Sequence, residues 1–113
     1  MEKDCLFCKI IRKEISAEVV FEDNNVIAFR DINPQAPVHI VFLPKKHIAT
    51  LNDVDEKDMF SNIFSAIKKV AKDKDIDGSG YRIVANCNSD GGQEVFHVHF
   101  HLLGGRKMIW PPG

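Results

Sequence analysis

His97-Val98-His99-Phe100-His101-Leu102-Leu103 is the stretch on which the reading of this chain turns. In a β-strand successive side chains point to opposite faces. The alternation therefore sets three imidazoles on one face and Val98, Phe100 and Leu102 on the other. The chain has 5 histidines, and three of them are spent here. Packing alone would place apolar residues at those positions. An exposed face that does chemistry near neutral pH explains them, because imidazole, with a pKa of about 6.5, serves there as base, acid or nucleophile. A single metal held by all three is disfavoured. The Cα atoms of His97 and His101 should lie about 13 Å apart at about 3.3 Å per residue, and zinc–nitrogen bonds are only about 2.0–2.1 Å long.

Outward from this strand the sequence divides into short elements. Leu6 to Lys13 reads as a helix with Asp4 as its N-cap. Val19–Glu22 and Val26–Arg30 read as strands joined by an Asp23-Asn24-Asn25 turn. Pro34 and Pro37 stiffen the loop from Asp31 to Val38, and His39 to Leu43 is a third strand ended by Pro44. A long helix is expected from Val54 to Lys72, capped by Asp53 with Glu56 as its capping-box partner. Phe60, Ile63, Phe64, Ile67, Val70 and Ala71 give it a stripe at helical spacing, read as core. After the loop from Asp77 to Gly80, Tyr81 to Asn86 forms a fourth strand and Val95 to Leu103 a fifth. The expected fold is α+β, a five-stranded antiparallel sheet with one long and one short helix.

The 113 residues suit a single domain, 1–113, in which residues 104–113 form an extended C-terminal arm. The composition is that of an ordinary globular protein, with 44% hydrophobic and 27% charged residues. A net charge of −1 without a basic stripe argues against nucleic acid. The start Met1-Glu2-Lys3-Asp4 is polar and no apolar run approaches spanning length, so neither a signal peptide nor a membrane is expected, and the cytoplasm is. Three cysteines, Cys5, Cys8 and Cys87, make a poor disulfide framework there. Cys5 and Cys8 stand at i and i+3 on one face of a helical turn, a spacing that suits zinc, whereas Cys87 has no evident partner.

The run Gly91-Gly92-Gln93-Glu94-Val95-Phe96-His97-Val98-His99-Phe100-His101-Leu102-Leu103-Gly104-Gly105 resembles the signature of the histidine-triad family, in particular its small nucleotide-binding, phosphoramidase-type branch. Leu6 to Ile11, Phe29 to His39, Pro44-Lys45-Lys46-His47 and the tail Trp110-Pro111-Pro112-Gly113 resemble the same branch, in order along nearly the whole chain. The resemblance implies that His99 attacks the α-phosphorus of a nucleoside monophosphate ester or amide, that a covalent nucleotidyl-histidine forms, and that water then releases the nucleoside monophosphate. It implies that His101 contacts the phosphoryl oxygens and gives a proton to the departing amine, and that His39 holds and polarises the site.

For the nucleoside, the resemblance implies apolar contacts from Leu6, Phe7, Ile10 and Phe29, residues that serve equally well as core. It implies ribose hydrogen bonds to Asp31 and a contact from Asn86 near the leaving group. Gly91 and Gly92 lack Cβ, so the loop reaching to Gln93 and Val95 is expected to cup an anion with main-chain N–H groups. Glu94 stands where some relatives carry a phosphate-contacting serine, so no role is carried over to it. The resemblance further implies a structural zinc on Cys5, Cys8, His47 and His97, with no cofactor required for catalysis. It implies a homodimer in which the Trp110 arm reaches the partner's site.

Three other readings remain open on sequence grounds. The first is a nucleotide-binding regulatory module with incidental turnover. The second is a dinucleoside polyphosphate hydrolase or nucleotidyltransferase of the wider family, against which His101 speaks because those usually carry Gln there. The third is a metal-dependent hydrolase using the histidine strand.

Overall fold

The computed structural model of the protein describes residues 4–113, so Met1 to Lys3, read above as a polar start, lie outside it. Among the described residues the elements run α1 (Leu6–Ile11), β1 (Val19–Glu22), β2 (Val26–Arg30), β3 (Val38–Pro44), a 3₁₀ turn (Leu51–Asp53), α2 (Lys57–Asp73), β4 (Tyr81–Val84) and β5 (Phe100–Gly104). The five strands form one antiparallel sheet in the order β1-β2-β3-β5-β4. This is the expected fold, one long and one short helix on a five-stranded sheet.

The two faces of the sheet do different things. Val26, Ala28, Ile40, Phe42, Phe100 and Leu102 pack beneath α2 with Ile63, Ile67 and Val70. On the opposite face Ile27, Phe29, Val41 and Leu43 pack against Phe7 and Ile10 of α1. Strand alternation brings His39 and His101 to this second face. His39 pairs across the ladder with Leu103, and His101 with Val41, so the two histidines are diagonal neighbours.

Several boundaries differ from the sequence reading. The N-cap of α1 is Cys5, not Asp4: the Cys5 sulfur accepts the Cys8 N–H at 3.3 Å. The long helix starts at Lys57 rather than Val54. Asp53 does not cap it, because its carboxylate accepts the Thr50 N–H (3.2 Å) and hydroxyl (2.8 Å) and closes the 3₁₀ turn instead. Glu56 occupies the N-cap position but sends its carboxylate to Lys46, 2.6 Å away. The buried stripe of α2 is rotated to include Met59 and Ala66, while Phe64 is partly exposed and meets Phe100 edge-on at 5.6 Å.

The fourth strand ends at Val84, short of Asn86, and the fifth begins at Phe100, not Val95. The register explains the late start. Phe100 pairs with Phe42, so residue 98 would face Pro44, where β3 ends. On the other side β4 has also run out of residues. Val98 donates its N–H to Ile48 (2.6 Å) instead. His97 and His99 therefore sit on an irregular approach to the strand, and only His101 lies within it.

Candidate active site

The three histidines do not stand on an open face. His97, His99 and His39 are buried and His101 is half-buried. They divide between two clusters, which agrees with the expectation that one metal cannot gather all three.

The first cluster joins α1 to the segments around residues 47 and 97. The ligand-type atoms of Cys5, Cys8, His47 and His97 all lie within 4.8 Å of one another. His97 Nε2–H donates to the Pro44 carbonyl at 2.7 Å, because a carbonyl can only accept. This leaves its Nδ1 as a lone pair, 3.6 Å from each sulfur and 3.2 Å from His47 Nδ1. Cys8 Sγ lies 3.3 Å from His47 Nδ1. A tetrahedral zinc with sulfur and nitrogen bonds of ordinary length has ligand–ligand edges of roughly 3.3–3.8 Å. Two thiols and two imidazoles at these separations fit such an ion. Burial pushes His97 down to about 4, further helped by His47 and His99 and opposed by the Pro44 hydrogen bond. Its ring is thus held neutral, as a ligand must be.

The second cluster is His39, His99 and His101 with Asp31. His99 Nδ1–H donates to the carbonyl of His97 at 2.7 Å. Its Nε2 is therefore the free lone pair. The Gln35 N–H donates to His39 Nδ1 at 3.0 Å, so the proton of neutral His39 sits on Nε2 and is given to His101 Nδ1, 2.9 Å away. The proton of His101 is then on its own Nε2. Asp31 Oδ2 flanks the pair, 3.4 Å from His39 Nε2 and 4.0 Å from His101 Nδ1. The backbone thus sets one imidazole as a bare nucleophile and its neighbour, with ring centroids 5.1 Å apart, as a proton donor.

Burial governs the charge of this cluster too. It lowers His99, against the His97 hydrogen bond and Asp31. It lowers His39, against Asp31. It brings His101 to about 4, helped by His99 and His39 and opposed by Asp31. All three are neutral at pH 7.

These histidines open into a cavity of about 570 Å³, a size suited to a nucleotide. Its walls include Leu6, Phe7, Ile10, Phe29, Asp31, Asn86, Gly92 and Val95, eight of the nine expected substrate contacts. Phe7 stands edge-on to both Phe29 (5.7 Å) and His99 (4.9 Å). Glu94 also lines the cavity.

Gln93 is not among the lining residues. Its amide braces the loop, accepting from the Asn88 N–H (2.9 Å) and donating to the carbonyls of Ala49 (2.8 Å) and Val95 (3.1 Å). The N–H groups of Gly92 and Gln93 are likewise spent on Ser89 and Asn88, so the expected anion cup cannot draw on them. Gly91 has a packing role: a Cβ there would meet the Cys87 carbonyl oxygen at 2.5 Å, while Gly92 adopts φ of +80°. Sequence reasoning missed Gln35, whose N–H fixes the His39 tautomer, and the wall residues Ile15, Ser16 and Ala17. The stiff loop between Asp31 and His39 was the available signal for Gln35.

A smaller hollow of about 410 Å³ near the start of α2 contains Lys45 and Lys46, but these pair with Glu22 and Glu56, and no imidazole reaches it.

Comparison with known proteins bears on this arrangement. A family model described as the HIT domain matches residues 12–108. The chain is 44% identical to a purine nucleoside phosphoramidase of Escherichia coli, over 96% of this chain and 92% of that one. Among solved structures, it resembles a HIT family hydrolase from Legionella pneumophila at 58% identity and a TM-score of 0.95, covering 97% of this chain and 100% of the other. A histidine triad protein from Clostridium difficile matches at 49% identity and a TM-score of 0.93, with 96% of each chain covered.

Proposed function

This chain belongs to the HIT domain family, and on that premise we propose that it is a hydrolase that cleaves the P–N bond of purine nucleoside 5′-phosphoramidates through His99. The observation that carries the reading is the opposed protonation of neighbouring rings. The His97 carbonyl holds the proton of His99 on Nδ1 and leaves Nε2 bare. The chain Gln35–His39–His101 leaves His101 with a proton on Nε2.

In the proposed mechanism His99 Nε2 attacks the α-phosphorus and the P–N bond breaks. Binding of the anionic substrate brings one further proton onto the His39–His101 pair, so the leaving amine takes the Nε2 proton of His101 and leaves a neutral ring. His101 then takes a proton from water as that water attacks phosphorus, releasing the nucleoside monophosphate and restoring His99. Asp31 accepts from the ribose, Leu6, Phe7, Ile10 and Phe29 enclose the base, Asn86 lies near the leaving group, and Val95 contributes its N–H to the anion contact. The purine preference is drawn from the name of the Escherichia coli relative.

A zinc ion on Cys5, Cys8, His47 and His97 would supply a structural crosslink and no catalytic step. The fit of the donor set supports it. We further place the enzyme in the cytoplasm as a homodimer with nucleotide-sized ligands as its partners. In support, no described helix is long and apolar enough to cross a membrane, and Ile109 and Trp110 are 75% and 80% exposed. Trp110 lies beside the Arg82 guanidinium at 5.9 Å, and Arg82 also donates to the Ile109 carbonyl.

The test is incubation with an adenosine 5′-phosphoramidate. Many turnovers per active site are expected at saturating substrate, and brief chelation should not abolish them. Tight binding without release would make the protein a regulatory module. Immediate and complete loss of turnover on chelation, with the fold retained, would make the metal catalytic.

A further inference from the structure

A helix of six residues does not hold itself in place, since isolated helices below about 12–15 residues are marginal in water. Helix α1 is that short and is fixed from two sides. Phe7 and Ile10 enter the apolar cluster with Ile27, Phe29, Val41 and Leu43. Cys5, at the cap, and Cys8, within the helix, face His47 and His97. The same two turns supply Leu6, Phe7 and Ile10 to the wall of the large cavity. Two further links tie the cysteine cluster to that cavity. The carbonyl of His97 accepts the His99 Nδ1–H, and Ile48, next to His47, accepts the Val98 N–H between those two histidines.

We propose that a divalent cation on Cys5, Cys8, His47 and His97 and a nucleoside monophosphate in the cavity bind with positive coupling, because both occupants act on α1 and on the His97–His99 link. The inference rests on the nucleotide and metal readings given above. Cys5, Cys8 and His47 are then positioning residues. They touch no substrate, yet they set the base-binding wall and the carbonyl that aims the nucleophile. Linkage requires the two effects to be equal: the factor by which the cation tightens the nucleotide is the factor by which the nucleotide tightens the cation.

The experiment uses AMP and Zn²⁺. AMP affinity is measured by calorimetry on zinc-loaded and zinc-stripped protein, with circular dichroism confirming that both are folded. Zinc affinity is measured by competition with a chromogenic chelator, with and without AMP. The expected result is a change of about tenfold, within the usual range of coupled sites, and the same in both directions. Inorganic phosphate, which reaches the histidines but not α1, is expected to give a smaller factor. Should stripping unfold the chain, cadmium-loaded protein replaces the stripped form. Its longer metal–ligand bonds are expected to shift α1 and change AMP affinity severalfold. Equal AMP affinity in the compared forms, with both ligands binding, overturns the coupling alone. Zinc binding without AMP binding overturns the nucleotide reading and the coupling with it. AMP binding without zinc binding does the same through the metal reading.

Discussion

His97 and His99 stand two residues apart on one irregular segment, yet they present opposite nitrogens to opposite partners. His97 gives its Nε2–H to the Pro44 carbonyl and turns Nδ1 towards two sulfurs and His47. His99 gives its Nδ1–H to the His97 carbonyl and leaves Nε2 for the cavity. Residue type and burial are nearly the same for both. The difference lies in which carbonyl each ring can reach, and this decides whether the free lone pair faces a metal-type donor set or a substrate. In a histidine, the backbone that fixes the tautomer assigns the chemistry.

Removing the cavity-facing ring should have the largest effect. His99→Ala is expected to lower kcat by at least about 10⁴-fold, as loss of a nucleophile does in other covalent enzymes, with native circular dichroism retained. Steady-state hydrolysis of the phosphoramidate measures it. His101→Ala, which removes only the proton donor, should cost about 10²–10⁴-fold. That loss should shrink for substrates whose leaving group needs no proton, and an undiminished loss would refute the donor role. The opposite ring should behave otherwise. His97→Ala or Cys8→Ala should abolish zinc binding and lower the thermal midpoint markedly. Chelation should move the wild type in the same direction.

A smaller effect concerns pH. In the folded state burial holds His97 and His101 at about 4, while the unfolded chain titrates near 6.5. The unfolded state therefore binds more protons below pH 6.5, and stability is full above that value and falls as the pH drops towards 4. For the fully buried His97 the loss in the metal-free protein reaches about 3 kcal/mol. Urea unfolding of metal-free protein at a series of pH values checks this, and a flat profile between pH 6.5 and 4 would contradict the buried neutral rings. The smallest effect is expected at Gln93. Gln93→Ala removes three hydrogen bonds that brace the loop and should cost about 1–3 kcal/mol, while leaving AMP affinity within a few fold, since this side chain does not face the cavity.

The sequence carried most of the architecture because its signals were local. The hairpin Val19–Glu22 and Val26–Arg30 has the expected bounds, since alternation and the Asp23 turn determine it without help from elsewhere. What failed depended on competition between partners. Asp53 was free to cap a helix in sequence terms, but Thr50 claims it first. Val95 to His99 had the alternation of a strand, but β4 ends before reaching it and β3 runs out at Pro44, opposite residue 98. The same limit applies to the site. Phe7, Phe29, Asp31 and the four ligand-type residues were legible as residues, and the fold sets the first three around the cavity and the other four around one point. The tautomers were not legible, because they depend on the carbonyls of Pro44 and His97 and the N–H of Gln35, groups that every such residue possesses.

The decisive event is the bond between His99 and the nucleotide. Wild type and His99→Ala should be mixed briefly with adenosine 5′-phosphoramidate, quenched, and examined by mass spectrometry with peptide mapping. The expected result is a nucleotidyl adduct on His99 in the wild type and none in the variant. An adduct of equal yield in His99→Ala, or one mapped to another residue in the wild type, would contradict it.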